Sequence, residues 1–583
     1  MTERSPAGLE ETNAKTKLMI NILDRGWKPI LLVVAIGLLA IIPALIFGSP
    51  SNQDLTHHFR LALHFYDSMR TGGLPAGWLA SAASGYGDVT PRFYPPALYY
   101  LLAGSRLALG NWYNGALFTY AIISIVSALG TYVWAREFLP RGESVCAAAL
   151  YTFAPYHLNQ FYQAFLLAEF AGAAILPFTF AFVHRVCKRG RMGDVAGLAI
   201  SYALLVLTHL PLTVIGSIAL TVYALWCLDK KKLWPTLWKL AAAVGLGLAA
   251  SASFWTTLVA ELSWFGGKVT SSDHSTEYGY NFVFSTVSTD NLNVWWMNIL
   301  TLATLALFLP ALACGRARLT DNERRGVRGT LVLFLFGLIM TSYLSWPVWR
   351  LSQTLQSVQF PWRWLAVASL AGAVLAAAHL SFWLEKARTK ARPMALLIGG
   401  GMAIGLAFAL AHSVREAEYL PRTAFEERLQ AIPSAASYDM WWPIWARSTA
   451  MEVTEQVQVP GRQVKVTSWQ PLERDFTVPA GAPSDARVAL FYYPYWVATA
   501  TQGQPLPVRP APDGTVLISV PAEATTVMLK FREPPRVRVT RVVGVIGWIA
   551  IAALCLIGRR KAFLPEETEE TERMNQAKPA ERQ

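Results

Sequence analysis

Charge is what this chain lacks most. Of its 583 residues only 15% are Asp, Glu, Lys or Arg, against about 25% in soluble domains. With 53% hydrophobic residues and a mean hydropathy of +0.32, that deficit excludes an ordinary soluble enzyme and, for most of the length, intrinsic disorder. Cysteine is scarce as well. Five residues cannot staple a secreted disulfide scaffold of this size. No internal repeat is evident, which weighs against the inverted-repeat transporters. The abundance lies in 22 Trp, 21 Tyr and 28 Phe, residues that crowd membrane interfaces. The composition is that of a polytopic membrane protein.

The net charge of +13 could point to nucleic acid, but a nucleic-acid binder gathers its charge on one face or domain. Here the basic residues form short clusters between apolar runs: Lys230–Lys232, Arg316 to Arg328, Lys386 to Arg392, and Arg559 to Lys561. That spacing is the positive-inside pattern of membrane loops, so no nucleic-acid partner is expected. A spanning helix needs about 20 mostly apolar residues. The sequence predicts about twelve, over 30–47, 113–135, 143–161, 168–185, 193–210, 211–228, 236–259, 294–313, 329–349, 363–383, 394–412 and 541–558. Lys15, Lys17, Arg25 and Lys28 hold residues 1–28 in the cytoplasm, and the tail 559–583 returns there. Phe93 to Leu109 is short and carries Arg106, so it is expected to lie in the interface as an amphipathic helix.

In this scheme 29–412 is a transmembrane domain with two outer loops, 49–112 and 260–293, and 413–540 is an extracytoplasmic domain. The latter shows alternating runs such as Val464–Thr467, Thr515–Val520 and Thr526–Phe531, broken by Asp513-Gly514 and several Pro. It reads as a β-sandwich. The aromatic run Tyr492–Trp496 could stack on sugar rings there or fill its core.

Ionisable residues near span ends are costly and are candidate functional groups. Asp54, His57 and His58 fall on one face if their segment is helical, and Arg60 follows them. A carboxylate beside two imidazoles can act as a general base or join a metal site; a solvated, helix-capping Asp54 is the alternative. Tyr86 lies in a Gly-rich turn, and Arg92 and Tyr94 precede two prolines. Glu169 opens the fourth span, His209 sits at a bend between two spans, and Arg363 between two Trp could grip a phosphate. A lone His at such a bend more often binds helices together, and Arg363 could simply anchor its helix. The topology places all of these on the outer side, which favours an active site at that surface.

The arrangement resembles the GT-C superfamily of membrane glycosyltransferases: Asp54 early in a long first outer loop, Phe93 to Leu109 as interfacial helix, and Glu169 at the outer end of the fourth span. More closely, it resembles a bacterial membrane-protein family named for a relation to 6-pyruvoyl-tetrahydropterin synthase, and the YfhO-like membrane proteins. The matching segments are Asp54 to His58, Gly72 to Pro75, Gly85 to Pro96, Ala168 to Pro177, Thr208 to Pro211, Phe360 to Arg363 and Tyr492 to Trp496. Nothing in the chain suggests a soluble zinc pterin synthase. The resemblance implies inverting transfer of a sugar from a polyprenyl-phosphate donor to a lipid, glycan or protein acceptor, at the outer face of a bacterial cytoplasmic membrane. It casts Asp54 as general base, Glu169 as acceptor-positioning or metal-binding partner, and Arg363 as donor-phosphate ligand. Tyr86, Arg92, Tyr94, His57, His58, Arg60 and His209 are the further substrate-binding candidates. Many relatives carry paired acids in the first loop, whereas Leu55 follows Asp54 here. A divalent metal (Mg or Mn) on Asp54, His58 and Glu169 therefore stays open. So do two other classes, a secondary transporter or flippase and a non-catalytic envelope-assembly scaffold.

Overall fold

The computed structural model describes residues 27–71, 77–265, 276–285, 292–313, 320–386, 392–432, 442–452, 455–501 and 503–563. The segment 72–75, Cys314, most of the N-terminus and most of the tail lie outside them. The chain forms a helical bundle followed by a β-rich region and a last long helix. Among the described residues eight helices are long and apolar enough to cross a membrane: Lys28–Phe47, Trp112–Ala135, Leu167–Lys188, Leu210–Cys227, Lys230–Ala250, Pro361–Ala378, Leu396–Arg415 and Pro535–Gly558.

The other four expected spans fall outside these eight helices. The 143–161 run breaks into Arg141–Thr152 and Pro155–Tyr162. Ala154 is extended (φ −61°, ψ 138°), as the residue before a proline prefers. Met192–Thr208 has 17 residues, and the 294–313 run lies within the 22-residue helix Leu292–Ala313. The run at 329–349 is divided at the extended Ser342: its first part ends the helix Asp321–Thr341, whose charged first turns carry a Thr320/Glu323 capping box, and the rest forms the short turns Tyr343–Ser345 and Trp346–Leu351. The expected span 236–259 is also divided, at Ser251, into Leu233–Ala250 and Ala252–Glu261. Ala97–Leu109 forms a helix of 13 residues, about 20 Å long and too short for a hydrocarbon core of about 30 Å.

Leu365–Ala378 is buried at every position. Its sequence of Ala, Gly, Ser, Val and Leu leaves little side-chain bulk, so neighbours pack close to its backbone. It therefore occupies the centre of the bundle, and Arg363 is carried at its N-terminal end.

The β region begins later than expected. Glu418–Leu420 pairs antiparallel with Ser49–Ser51, directly after the first helix. Arg422–Ala431 packs on the segment that follows, with Phe425 edge-on to Phe59 at 5.0 Å. Residues 413–431 thus belong to the helical body. The sheets run from Val457 to Phe531: a four-stranded one ordered Val457–Gln458, Ser484–Phe491, Thr515–Val520, Val508–Pro510, and a five-stranded one ordered Lys465–Gln470, Glu473–Val478, Thr525–Phe531, Trp496–Ala500, Pro505–Leu506. Alternate residues such as Phe476, Val488, Ile518 and Leu529 bury in one shared cluster, as facing antiparallel sheets require. The last helix starts at Pro535.

Candidate active site

The first long helix ends at Phe47 and the strand pair at Ser49–Ser51 fixes where the chain turns. Gln53–Arg70 follows as a helix with Asp54 in its first turn, where a carboxylate complements the helix dipole. Asp54, His57 and His58 consequently share one face, as their spacing predicts. Tyr120 ties this corner to the bundle through its hydroxyl, 3.0 Å from Ser49 Oγ, and Tyr162 through a 2.6 Å bond to the Ala40 carbonyl.

Glu169 and Arg363, 194 positions apart, form one buried ion pair. Arg363 Nε donates to Glu169 Oε2 at 2.9 Å. The other carboxylate oxygen accepts from the Tyr156 hydroxyl at 2.6 Å and from Gln160 Nε2 at 3.1 Å. Arg363 Nη1 binds the Val358 carbonyl at 2.6 Å, and its guanidinium lies over Phe360 and Trp362, at 4.7 and 5.8 Å from the ring centres. Two of its five donors are used in this way. Among the described residues Nη2 has no partner.

Asp54 is placed differently. It is half-buried, and among the described residues nothing donates to its carboxylate. Burial pushes its pKa from 3.8 up to about 6; the Arg363 charge pulls the other way, and the Glu169 charge adds to the rise. The same electrostatics show that Asp54, Glu169 and Arg363 act on one another. Three donors hold the Glu169 carboxylate, while the half-buried Asp54 carboxylate has none among the described residues.

The imidazoles flank this pair as neutral groups. His58 is buried with Nδ1 3.1 Å from the Tyr99 hydroxyl. Burial first, then neighbouring His57, holds its pKa well below the usual value. Burial and the nearby Arg60 bring His57 down to about 4. His57 meets the Tyr94 ring edge-on at 5.6 Å, and Tyr94 meets Tyr99 at 5.8 Å. His209 is buried, caps the Leu210–Cys227 helix by accepting from Leu212 N at 3.2 Å, and lies within electrostatic reach of Arg363 and His58. Gly172, one turn beyond Glu169, permits this approach: a β-carbon there would sit 3.0 Å from that of His209.

Thus Asp54, His57, His58, Tyr94, Glu169, His209 and Arg363 come to one end of the bundle. Arg60 acts instead on Asp88, His64 and His57. Tyr86 and Arg92 are used elsewhere. Tyr86 is buried against the β region, its carbonyl accepting from Phe491 N at 2.8 Å and its ring 5.5 Å from that of Phe491. Arg92 is clamped by Glu261 (2.5 and 2.8 Å) and Glu533 (2.8 and 3.1 Å), and lies over Tyr493 and Tyr495. Tyr493, Tyr495 and Trp496 are buried in this junction, so these three rings of the Tyr492–Trp496 run fill a core rather than offer a platform to sugars. Sequence reasoning missed Tyr99, Tyr156 and Gln160. For Tyr156 and Gln160 the signal in the sequence was their i, i+4 spacing within Pro155–Tyr162.

The donors for a divalent metal do not gather. Among the described residues no group of three His, Cys, Asp or Glu is arranged to hold one. Both Glu169 oxygens are already bound, and His58 Nδ1 is taken by Tyr99. Asp54, His58 and Glu169 do not fit Mg or Mn as they stand.

Comparison with solved structures finds distant likenesses. The oligosaccharyltransferase AglB from Archaeoglobus fulgidus, in complex with an inhibitory peptide and a dolichol-phosphate, is 15% identical with a TM-score of 0.44 over 68% of this chain and 57% of its own. The arabinofuranosyltransferase AftD from Mycobacteria is 15% identical with a TM-score of 0.44, over 68% of this chain and 27% of its own. ArnT from Cupriavidus metallidurans, bound to undecaprenyl phosphate, is 13% identical with a TM-score of 0.39, over 70% of this chain and 78% of its own. The chain therefore spans little more than half of the first of these and about a quarter of the second. Comparison with curated proteins returns no match. The profile of the 6-pyruvoyl-tetrahydropterin synthase related domain, a membrane-protein family, matches residues 91–420. That segment takes in Glu169, His209 and Arg363 and exceeds half of the chain, which belongs to this family of membrane proteins.

Proposed function

We propose that the protein is a membrane glycosyltransferase that moves a sugar from a polyprenyl-phosphate donor to an acceptor hydroxyl, with Asp54 as general base. The observation that carries this is the contrast between two neighbouring carboxylates: Glu169 saturated by Arg363, Tyr156 and Gln160, and Asp54 unbonded among the described residues with its pKa raised to about 6. A sugar hydroxyl is a weak nucleophile at neutral pH, and a positioned base of matched pKa is what its attack requires. In this reading Asp54 takes the hydroxyl proton as the oxygen attacks the anomeric carbon from the side opposite the leaving phosphate, inverting it. Glu169 holds Arg363 in place, and the remaining Arg363 donors meet the phosphate, a task suited to a planar guanidinium. The neutral His57, His58 and His209 offer ring nitrogens to hydroxyl groups without adding charge. The site faces outward in the topology that the basic loops imply.

The test is Asp54→Asn, which keeps shape and removes basicity. Cells carrying it are expected to make the protein normally and to accumulate the polyprenyl-phosphate sugar that the wild type consumes. Transfer should fall about a hundred- to ten-thousand-fold. Retention of a tenth or more of wild-type transfer would make the carboxylate structural. Transport of a solute by purified protein in vesicles, with no new glycosidic bond, would favour the transporter class instead.

A further inference from the structure

Four arginines, Arg532, Arg536, Arg538 and Arg541, crowd the start of the last helix. In the topology implied by the basic loops this end faces outward, where the positive-inside rule predicts few. Their local partners do not neutralise them. Among the described residues Arg92, Arg536 and Arg541 face two carboxylates, Glu261 and Glu533, and Arg532 and Arg538 are exposed. Among the described residues Arg541 makes one polar side-chain contact, 3.2 Å from Glu533, its side chain 32% exposed. Most of its five donors remain for something else.

Beside Arg541 lies a cavity of about 430 Å³, walled by Phe65, Leu207, Phe254, Val537 and Trp548. Its size is within the range of small-molecule sites, about 300–1,000 Å³. Its origin is visible in the packing. The last helix touches Leu233–Ala250 backbone to backbone, a β-carbon on Gly547 falling 2.7 Å from Ala250 N. One residue later, at Ser251, the chain starts a new helix. The cavity is lined on both sides of this junction, by Ala250 before it and by Ser253, Phe254 and Thr257 after it, with Val537, Arg541 and Trp548 of the last helix facing them. The last helix also exposes Val539, Val542, Val543, Ile546 and Ile549, a surface for lipid.

We propose that this cavity holds one acyl chain of an anionic phospholipid whose phosphate binds Arg541. Basic pockets between membrane helices suit such headgroups. A zwitterionic headgroup would bring its own cation against Arg536 and Arg538, so the arginine excess selects phosphatidylglycerol-type over choline lipids. Among the described residues the hydrogen-bond partners of Glu169 and Arg363 lie outside this lining, and the proposal does not depend on the catalytic reading.

The test is native mass spectrometry of the purified full-length protein after incubation with phosphatidylglycerol, phosphatidylcholine, a polyprenyl phosphate or inorganic phosphate. Wild type is expected to retain one phosphatidylglycerol in preference to phosphatidylcholine. Arg541→Gln should lower that occupancy about fivefold, the worth of one basic residue near an anionic lipid. Ser253→Phe, which fills the cavity without touching charge, should lower it too. Equal retention of both phospholipids by the wild type overturns the proposal without any variant having to fold. So does unchanged retention by Arg541→Gln. Displacement of the phospholipid by inorganic phosphate, or preferential binding of the polyprenyl phosphate, also overturns it; the first would remove the chain from recognition and the second would make the cavity a donor site.

Discussion

If Asp54 is the base, the pH profile of transfer carries its signature, and neighbouring charges should move it in a known direction. The folded-state pKa is about 6 against an ordinary 3.8, so ionising Asp54 in place costs about 3 kcal/mol more than in water. Only the ionised form can accept a proton. Transfer should therefore be flat from about pH 7 to 8 and fall below 6, with roughly a tenth of the carboxylate ionised at pH 5. Glu169 raises the Asp54 pKa and Arg363 lowers it. Glu169→Gln removes the negative charge and leaves Arg363 unopposed, so the residual activity of this slow variant should titrate at lower pH than wild type. The assay is single-turnover transfer from polyprenyl-phosphate sugar in detergent, from pH 4.5 to 8. A second reading follows from linkage. Because the folded pKa is raised, the stability from neutral Asp54 is fully present below about pH 3.8 and is lost as pH rises through about 6. Asp54→Asn, always neutral, should match wild type in thermal stability near pH 4 and exceed it at pH 7.5, by at most about 3 kcal/mol. A wild-type profile flat from pH 5 to 8, or an alkaline shift in Glu169→Gln, would refute the assignment.

Arg363→Gln leaves Glu169 buried without its ion partner and should cost about 3–5 kcal/mol, read as a lower midpoint in thermal unfolding. The Glu169→Gln, Arg363→Gln double variant should recover part of that loss. If Asp54 works as a base without a metal, EDTA leaves transfer unchanged and added Mg or Mn restores nothing; a metal-dependent rate would require Asp54 and Glu169 to rearrange with substrate. Cys placed at exposed Ala524 should react with an impermeant thiol reagent on intact cells, and Cys at exposed Lys232 should react only after lysis; the reverse pattern would invert the topology.

Composition and periodicity determine the membrane class, most apolar helices and the alternating strands, because burial in lipid or between two sheets acts on each segment separately. Local chemistry also determines that Asp54, His57 and His58 share a face, since helical spacing needs no other part of the chain. Other assignments needed the tertiary structure. The 236–259 run divides at Ser251, which no proline marks, where the last helix packs backbone to backbone through Gly547. Arg92 and Glu169 look alike in sequence, each a lone charge beside aromatics. Arg92 finds Glu261 and Glu533, 169 and 441 positions away, and becomes the bolt between helices and β region. Glu169 finds Arg363 and stands at the site. Which partner a buried charge meets depends on how distant helices pack, and no spacing along the chain encodes that. The difference between the two carboxylates is likewise tertiary: among the described residues three donors fold around Glu169 and none reaches the Asp54 carboxylate.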